Sequence, residues 1–557
     1  MVSVLQARPM TATLLLTLVL TADKGGAALI TPQSLTGHVR FLASDALEGR
    51  GPATRGDALA QQYVATQFET LGLSPAGTEG FLQPFELVGV TGHPTALTFK
   101  RGADTLQTNF HTDMIAVSGH QLAQSRLDKA EVVFVGYGIV APEYGWNDFK
   151  GVDVKGKVVL VMNNDPEDDA GLFAGKTRLW YGRWDYKYEQ AAKQGAVGCL
   201  IIHTTPSAGY PWQVVQTSWT GEQFDLPVMA ASPLQVKGWL TDEASRKLVA
   251  MAGKDFEALR AKAQSRDFQA VPLGVSVSTS FTNTVVKKGT ANVLGVLPGS
   301  DPKLSDEWLV VTAHHDHLGL KVGGAKDEDV IYNGAVDNAS GVAALLTLAR
   351  ALTSTAKAPK RSVLFAAVAA EEQGLLGSQY LVEHPPVPHG RMAANVNIDG
   401  LNIWGRTRDV SVIGYGKTSI DAVLVTLAKA QGRVVKPDAL SDRGFFYRSD
   451  QFNFARAGVP ATYFSSGHAF IDRPENWGRE QREKWESTHY HQPSDALEAT
   501  WDLSGAVEDV KLIYQLVLKL GDAPSMPTWV RGDEFEAARL KSFEALLRSG
   551  AKGSAGK

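Results

Sequence analysis

Cysteine is almost missing from this chain: Cys199 stands alone among 557 residues. A single thiol excludes an internal disulfide, and it excludes a thiolate metal cluster within one chain. Its surroundings, Gly195-Ala196-Val197-Gly198 before and Leu200-Ile201-Ile202 after, read it as a small buried hydrophobe. An excess of basic charge is missing too. Lys and Arg together number 55 against 59 Asp and Glu, a net charge of −4. No basic run is visible, so nothing points to a nucleic-acid partner. Long apolar runs are scarce. The one at the N-terminus, Thr13–Leu20, follows Arg8 and precedes small residues, and it is too short to span a bilayer. That is the pattern of a secretory signal, with cleavage sites after Ala22 or Ala28. It predicts export to a periplasm or the medium, and a mature chain without a membrane span.

What is present suffices for two or three domains with sizeable cores. Helices are expected near residues 34–44 and again where Leu59, Tyr63, Phe68 and Leu71 recur before Gly72. From 120 to 270 the character changes to short buried strands, Val132–Val135 and Val158–Val161, then a helix over Tyr188–Gln194 and a strand over Gly198–Ile202. This stretch has no compact cluster of His, Asp and Glu and reads as a separate lobe. From about 285 to 525 strands and helices alternate: strands at Leu309–Ala313, Ser362–Ala370, Asn395–Ile398 and Pro460–Phe464, and a helix over Val342–Leu352 capped by Asn338 or Ser340. Alternation of this kind predicts an α/β fold, a mixed and mostly parallel sheet flanked by helices. A last helix is expected over Glu534–Leu547, then a disordered Lys/Gly/Ser tail. The expected division is a signal over 1–28, catalytic-domain parts over 29–119 and 271–525, an inserted β-rich lobe over 120–270, and a helix with tail over 526–557.

The chemistry gathers after the predicted strands. His314 follows Ala313, Glu371 and Glu372 follow Ala370, and Asp399 follows Ile398. The C-terminal ends of parallel strands share one edge, where open α/β sheets bind ligands. With Asp337 and His491 these residues supply imidazole and carboxylate donors for two divalent ions, one carboxylate bridging. Asp337, Glu372 and Asp399 offset three of four positive charges, and a bridging hydroxide the fourth. Asp316 is placed to accept the other ring N–H of His314. Of the adjacent glutamates, one can bind metal while the other keeps a free carboxylate: Glu372 is assigned to metal and Glu371 to the general base. Tyr490 could donate its O–H to a developing oxyanion. Each motif alone has a plainer reading, as a solvated helix start, a polar loop or a helix cap. Their joint order is what carries the assignment.

These motifs resemble those of the M28 family of co-catalytic zinc peptidases: His-x-Asp at 314–316, Asp-Asn-x-Ser-Gly at 337–341, Glu-Glu at 371–372, Asn-x-Asp at 397–399 and Tyr-His at 490–491. The resemblance implies a zinc-peptidase fold and two zinc ions per chain. One ion would lie on Asp337, Glu372 and His491, the other on His314, Asp337 and Asp399. It also implies Glu371 as base, Asp316 as orienter and Tyr490 as oxyanion donor, acting on peptide substrates. Ser449–Phe452 and Ala457–Pro460 resemble segments before the family's last strand, with Asp450 read as structural. Gly151–Val161 and Tyr188–Ile202 resemble the protease-associated (PA) domain inserted in such enzymes, and Phe41–Arg50 resembles the opening of PA-bearing members. The implied activity is release of N-terminal residues by an exported aminopeptidase, with a metal-bridging hydroxide as nucleophile. A carboxypeptidase or dipeptidase of the glutamate carboxypeptidase type is the alternative, with Arg443, Tyr447 and Arg448 as carboxylate binders. Phe445, Phe446, Trp477 and Trp485 are candidates for an apolar pocket. The complete ligand set argues against a one-zinc glutaminyl cyclase-like transferase and against a non-catalytic receptor-like homologue. The oligomeric state is not readable.

Overall fold

The computed structural model describes residues 25–169, 171–228, 232–321 and 328–554. Most of the expected signal therefore lies outside the described residues. Seven strands order the main sheet: β1 (Leu82–Gly92), β2 (Val271–Leu297), β3 (Trp308–His314), β4 (Ser362–Val368), β5 (Met392–Asn397), β6 (Asp409–Ile413) and β7 (Ala461–Ser466). β1 pairs antiparallel with β2, and the end of β2 pairs antiparallel with β4. β4, β3, β5 and β7 then follow in space, all parallel to their neighbours. β6 returns antiparallel to β7. The sheet is the expected mixed, mostly parallel one.

The central strands read as apolar runs because helices cover both faces. Every residue of β3 after Trp308, and every residue of β4 and β5, is buried. Helix α1 (Gly341–Thr353) buries Val342, Leu345, Leu346, Leu348 and Leu352, and helix α2 (Ser504–Asp522) buries Val510, Leu512, Leu516 and Val517 in the same core. Each fully buried side chain of this size contributes about 1.5–3 kcal/mol. The N-terminal helices Pro32–Leu42 and Arg55–Thr70 close the core with Leu35, Val39, Val64 and Phe68. The first is capped reciprocally by Thr31 and Ser34.

A second sheet lies in the stretch expected to form a separate lobe. Gln124–Phe134, Val158–Met162, Gly198–His203 and Val236–Thr241 run parallel where they pair, and Met114–Ser118 closes the edge antiparallel. Helices Trp184–Lys193, Asp242–Met251 and Phe256–Ala263 cover it. Strand β2 belongs to both sheets: its first half pairs with Gln124–Phe134 and its second with β1. The lobe docks on the main domain through Trp180, whose ring lies 4.5 Å from that of Phe452, and through a 3.1 Å Arg456–Glu189 ion pair. The last helix runs Glu536–Ser554, well into the tail that was expected to be disordered. Among the described residues, no helix is long and apolar enough to cross a membrane.

Candidate metal centre

Register brings the remote motifs together. His314 pairs with Val368 across β3 and β4, and Thr312 pairs with Asn397 across β3 and β5. The segments beyond Val368 and Asn397 therefore leave the sheet beside His314. Ala370 adopts φ 54°, turning the chain at once after β4 and directing Glu371 and Glu372 toward the edge. A β-carbon is unfavourable in that region by about 1–2 kcal/mol. Asp337 enters from the loop before α1. There Asn338 accepts from Gly341 N and Gly400 N, both at 2.9 Å, and donates to Ile398 O at 3.0 Å. The expected cap of α1 thus also ties the Asp337 loop to the Asp399 turn. Asp495 holds the loop from the other side, accepting from Val336 N at 2.9 Å and Asp337 N at 3.1 Å.

The two carboxylate oxygens of Asp337 face different imidazoles. Oδ1 lies 3.3 Å from His314 Nε2, and Oδ2 lies 3.3 Å from His491 Nε2. Asp399 Oδ1 is 3.4 Å from His314 Nε2, and Glu372 Oε2 is 3.1 Å from His491 Nε2. All five residues expected as ligands thus meet in two groups that share Asp337. His491 Nε2 is buried between the Asp337 and Glu372 carboxylates, where an ion would take the place of its proton. Imidazole nitrogens and carboxylate oxygens without thiolates suit zinc and similar divalent ions. His317 is a further residue in reach. Fully buried, it places Nδ1 2.7 Å from Glu372 Oε1 and forms a possible ligand group with Asp337 and Glu372.

The charges act on one another strongly. Burial acts to raise Asp337, but the hydrogen bonds from His314 and His491 outweigh it and hold its carboxyl well below the usual range. Burial acts to lower His491, yet Glu372 and Asp337 bring it up to about 10. Both effects express an anionic cluster that attracts cations. Burial, together with Glu372, Asp399 and Asp450, pushes Glu371 well above the carboxylate range against the pull of His314. Among the described residues, the Glu371 carboxylate has no hydrogen-bond or ion-pair partner, and it belongs to neither ligand group. Asp316 faces His314 Nδ1 through its carbonyl at 3.3 Å and its carboxylate at 3.7 Å. Its carboxylate also accepts from Glu371 N at 3.0 Å and Glu372 N at 3.3 Å, anchoring the glutamate pair. Tyr490 is 38 % exposed and stacks on His491 at 3.9 Å. Asp450 is fully buried, makes no hydrogen bond of good geometry, and is pushed up to about 7 by burial.

Other candidates are engaged elsewhere. Tyr447 is buried with its hydroxyl on Glu534 at 2.6 Å, and Arg443 pairs with Glu486 at 3.3 Å. Phe446 packs on Phe535, and Trp477 meets Phe470 edge-on. Arg448 lies over the Phe445 ring, and Trp485 neighbours Tyr490. His315 points away from the site, to Asp57 at 2.9 Å. Sequence reasoning gave no role to His317, Asn338 beyond its cap, or Arg50. Nearness in the chain to His314 and Asp337 marks His317 and Asn338; nothing local marks Arg50.

An α/β sheet whose strand ends gather carboxylates and imidazoles into a metal-binding group defines a metallohydrolase-like architecture. Within it, residues 292–514 match the model of peptidase family M28. A mouse relative, aminopeptidase NAALADL1, is 32 % identical over 134 residues, 23 % of this chain and 16 % of its own length. Aminopeptidase YwaD of Bacillus subtilis is 28 % identical over 369 residues, 65 % of this chain and 63 % of that protein. The chain thus spans about a sixth of the first relative and under two thirds of the second. An aminopeptidase from Aneurinibacillus sp. strain AM-1 shares the fold with a TM-score of 0.52 at 20 % identity, covering 91 % of this chain and 97 % of that one.

Proposed function

We propose that the protein is an exported dinuclear zinc aminopeptidase that releases N-terminal residues from peptides. The observation that carries this reading is the division of Asp337 between two imidazoles, each completed by its own carboxylate. His314, Asp337 and Asp399 would hold one ion, and Asp337, Glu372 and His491 the other. His491 is preferred to His317 because its Nε2 lies 3.3 Å from Asp337 and 3.1 Å from Glu372, whereas His317 is in hydrogen-bond distance of the other oxygen of Glu372 alone. Zinc bound there would polarise a scissile carbonyl and lower the pKa of an attacking water.

The chain's own groups do the rest. Glu371, outside both ligand groups, takes the proton of the attacking water and delivers it to the leaving amine. Asp316 keeps Glu371 and Glu372 in place through their amides. Tyr490, on the open side of the site, donates its O–H to the carbonyl oxygen as charge develops there. The lobe expected over 120–270, whose sheet also takes in Met114–Ser118 and the first half of β2, is read as a PA-like domain beside the catalytic domain.

Hydrolysis of free and N-acetylated aminoacyl substrates tests the reading. Cleavage of the free forms alone is expected. Equal cleavage of both, or cleavage from the C-terminus, would contradict it and favour the carboxypeptidase alternative.

A further inference from the structure

Arg50 is a buried charge that the mechanism above does not use. It is 1 % exposed, and among the described residues no carboxylate lies within ion-pair distance of it. An unpaired buried guanidinium is costly to place. Its donors go instead to backbone carbonyls: Nε to His315 O at 2.9 Å, Nη1 to Asn333 O at 2.7 Å and to Leu42 O, and Nη2 to Gly334 O at 2.9 Å. Its own carbonyl accepts from His317 N at 3.2 Å. The fork therefore joins two loops. One follows His314 and carries Asp316 and His317; the other leads into Asp337.

The turn that delivers Arg50 is built for that place. Glu48, Gly49 and Arg50 are all left-handed, at φ 48°, 69° and 51°. A Cβ on Gly49 would lie 2.3 Å from Gly319 O and 2.6 Å from Tyr332 O. Asn333 ties the same turn down, donating to Ala43 O at 3.0 Å and Asp45 Oδ1 at 2.9 Å. The Asp316, Asp495, Asp337 and Glu372 carboxylates all act on the guanidinium through space. Arg50 thus sits where the site's negative charge is concentrated, without touching a ligand.

We propose that Arg50 is a positioning residue of the metal centre: its guanidinium locks the two ligand-bearing loops at the spacing that lets His314, Asp337 and Glu372 converge. His317 extends the lock, since its amide is held by Arg50 and its Nδ1 fixes Glu372. The inference rests on the metal-site reading above. A planar five-donor fork is required for this role, so lysine, with the same charge, does not replace it.

The test is zinc affinity of metal-free protein, measured by competition with a chromogenic chelator for the wild type, Arg50→Lys and Arg50→Met. Arg361→Lys serves as control. That arginine is equally buried and bonds Glu307 Oε2 at 2.8 Å and Leu520 O at 2.9 Å, away from the site. Both Arg50 variants should bind zinc about 10–100-fold more weakly, and saturating zinc should restore the activity of Arg50→Lys. Arg361→Lys should lower the melting temperature without changing zinc affinity. Wild-type affinity in either Arg50 variant, an equal loss in Arg361→Lys, or activity that zinc does not restore would overturn the inference. A wild-type protein that binds no zinc would instead overturn the proposed function, and this inference with it.

Discussion

Glu371 and Glu372 are neighbours in the chain and opposites in environment. Glu372 is held at about 2 because His491 and His317 outweigh burial and the repulsion of Asp337, while Glu371 is pushed up by burial and nearby carboxylates. Ion binding will lower Glu371, since added positive charge favours its ionised form. Glu371→Gln keeps the shape and removes the base. It should reduce kcat by about 10²–10⁴ while zinc content stays at the wild-type level, checked by steady-state kinetics beside metal analysis. Loss of zinc in this variant would instead make Glu371 a ligand. The glutamate pair was legible because an apolar strand ends on it. Arg50 and His315 were not, since their partners lie far away in sequence: His315 meets Asp57 258 residues off, and Arg50 meets Gly334 284 residues off. No local periodicity records such pairings.

At the scale of elements, the strand ends were legible for a physical reason. A strand buried on both faces must be apolar throughout, so β4 announces itself and its end marks the site. β2 did not announce itself. Its burial alternates in the first half and becomes continuous in the second, because it passes from one sheet to the other within 27 residues. The inserted lobe contains a second feature that sequence left unread. Lys187 is 1 % exposed and donates to Asn164 O at 2.8 Å and Tyr181 O at 2.6 Å. Burial pulls it down to about 7 against the attraction of Asp165 and Asp148. Lys187→Met leaves the buried Asn164 and Tyr181 carbonyls without their donor. It should cost about 1–3 kcal/mol, read from chemical denaturation, whereas an unchanged unfolding midpoint would show those carbonyls satisfied without it.

For the whole molecule, the N-terminal helices from Pro32 on share one core with the strands that lead to the metal site. Gly26 approaches α1 so closely that a Cβ would lie 2.4 Å from Ala351 O and 2.7 Å from the Tyr514 hydroxyl. A mature chain that keeps this contact must retain Gly26. Of the two sites read from sequence, cleavage after Ala22 is therefore expected, and N-terminal sequencing of exported protein should begin at Asp23; a start at Leu29 would contradict it. The N-terminal segment then supplies Arg50 beside the site, while strand ends and loops supply the expected ligands. Whether two ions share Asp337 is answered by stepwise return of zinc to metal-free protein. Release of the N-terminal residue from an unblocked peptide is followed after each addition. No activity is expected without zinc, and a plateau is expected at two equivalents per chain. Full activity in the metal-free protein, or a plateau at one equivalent, would contradict that expectation.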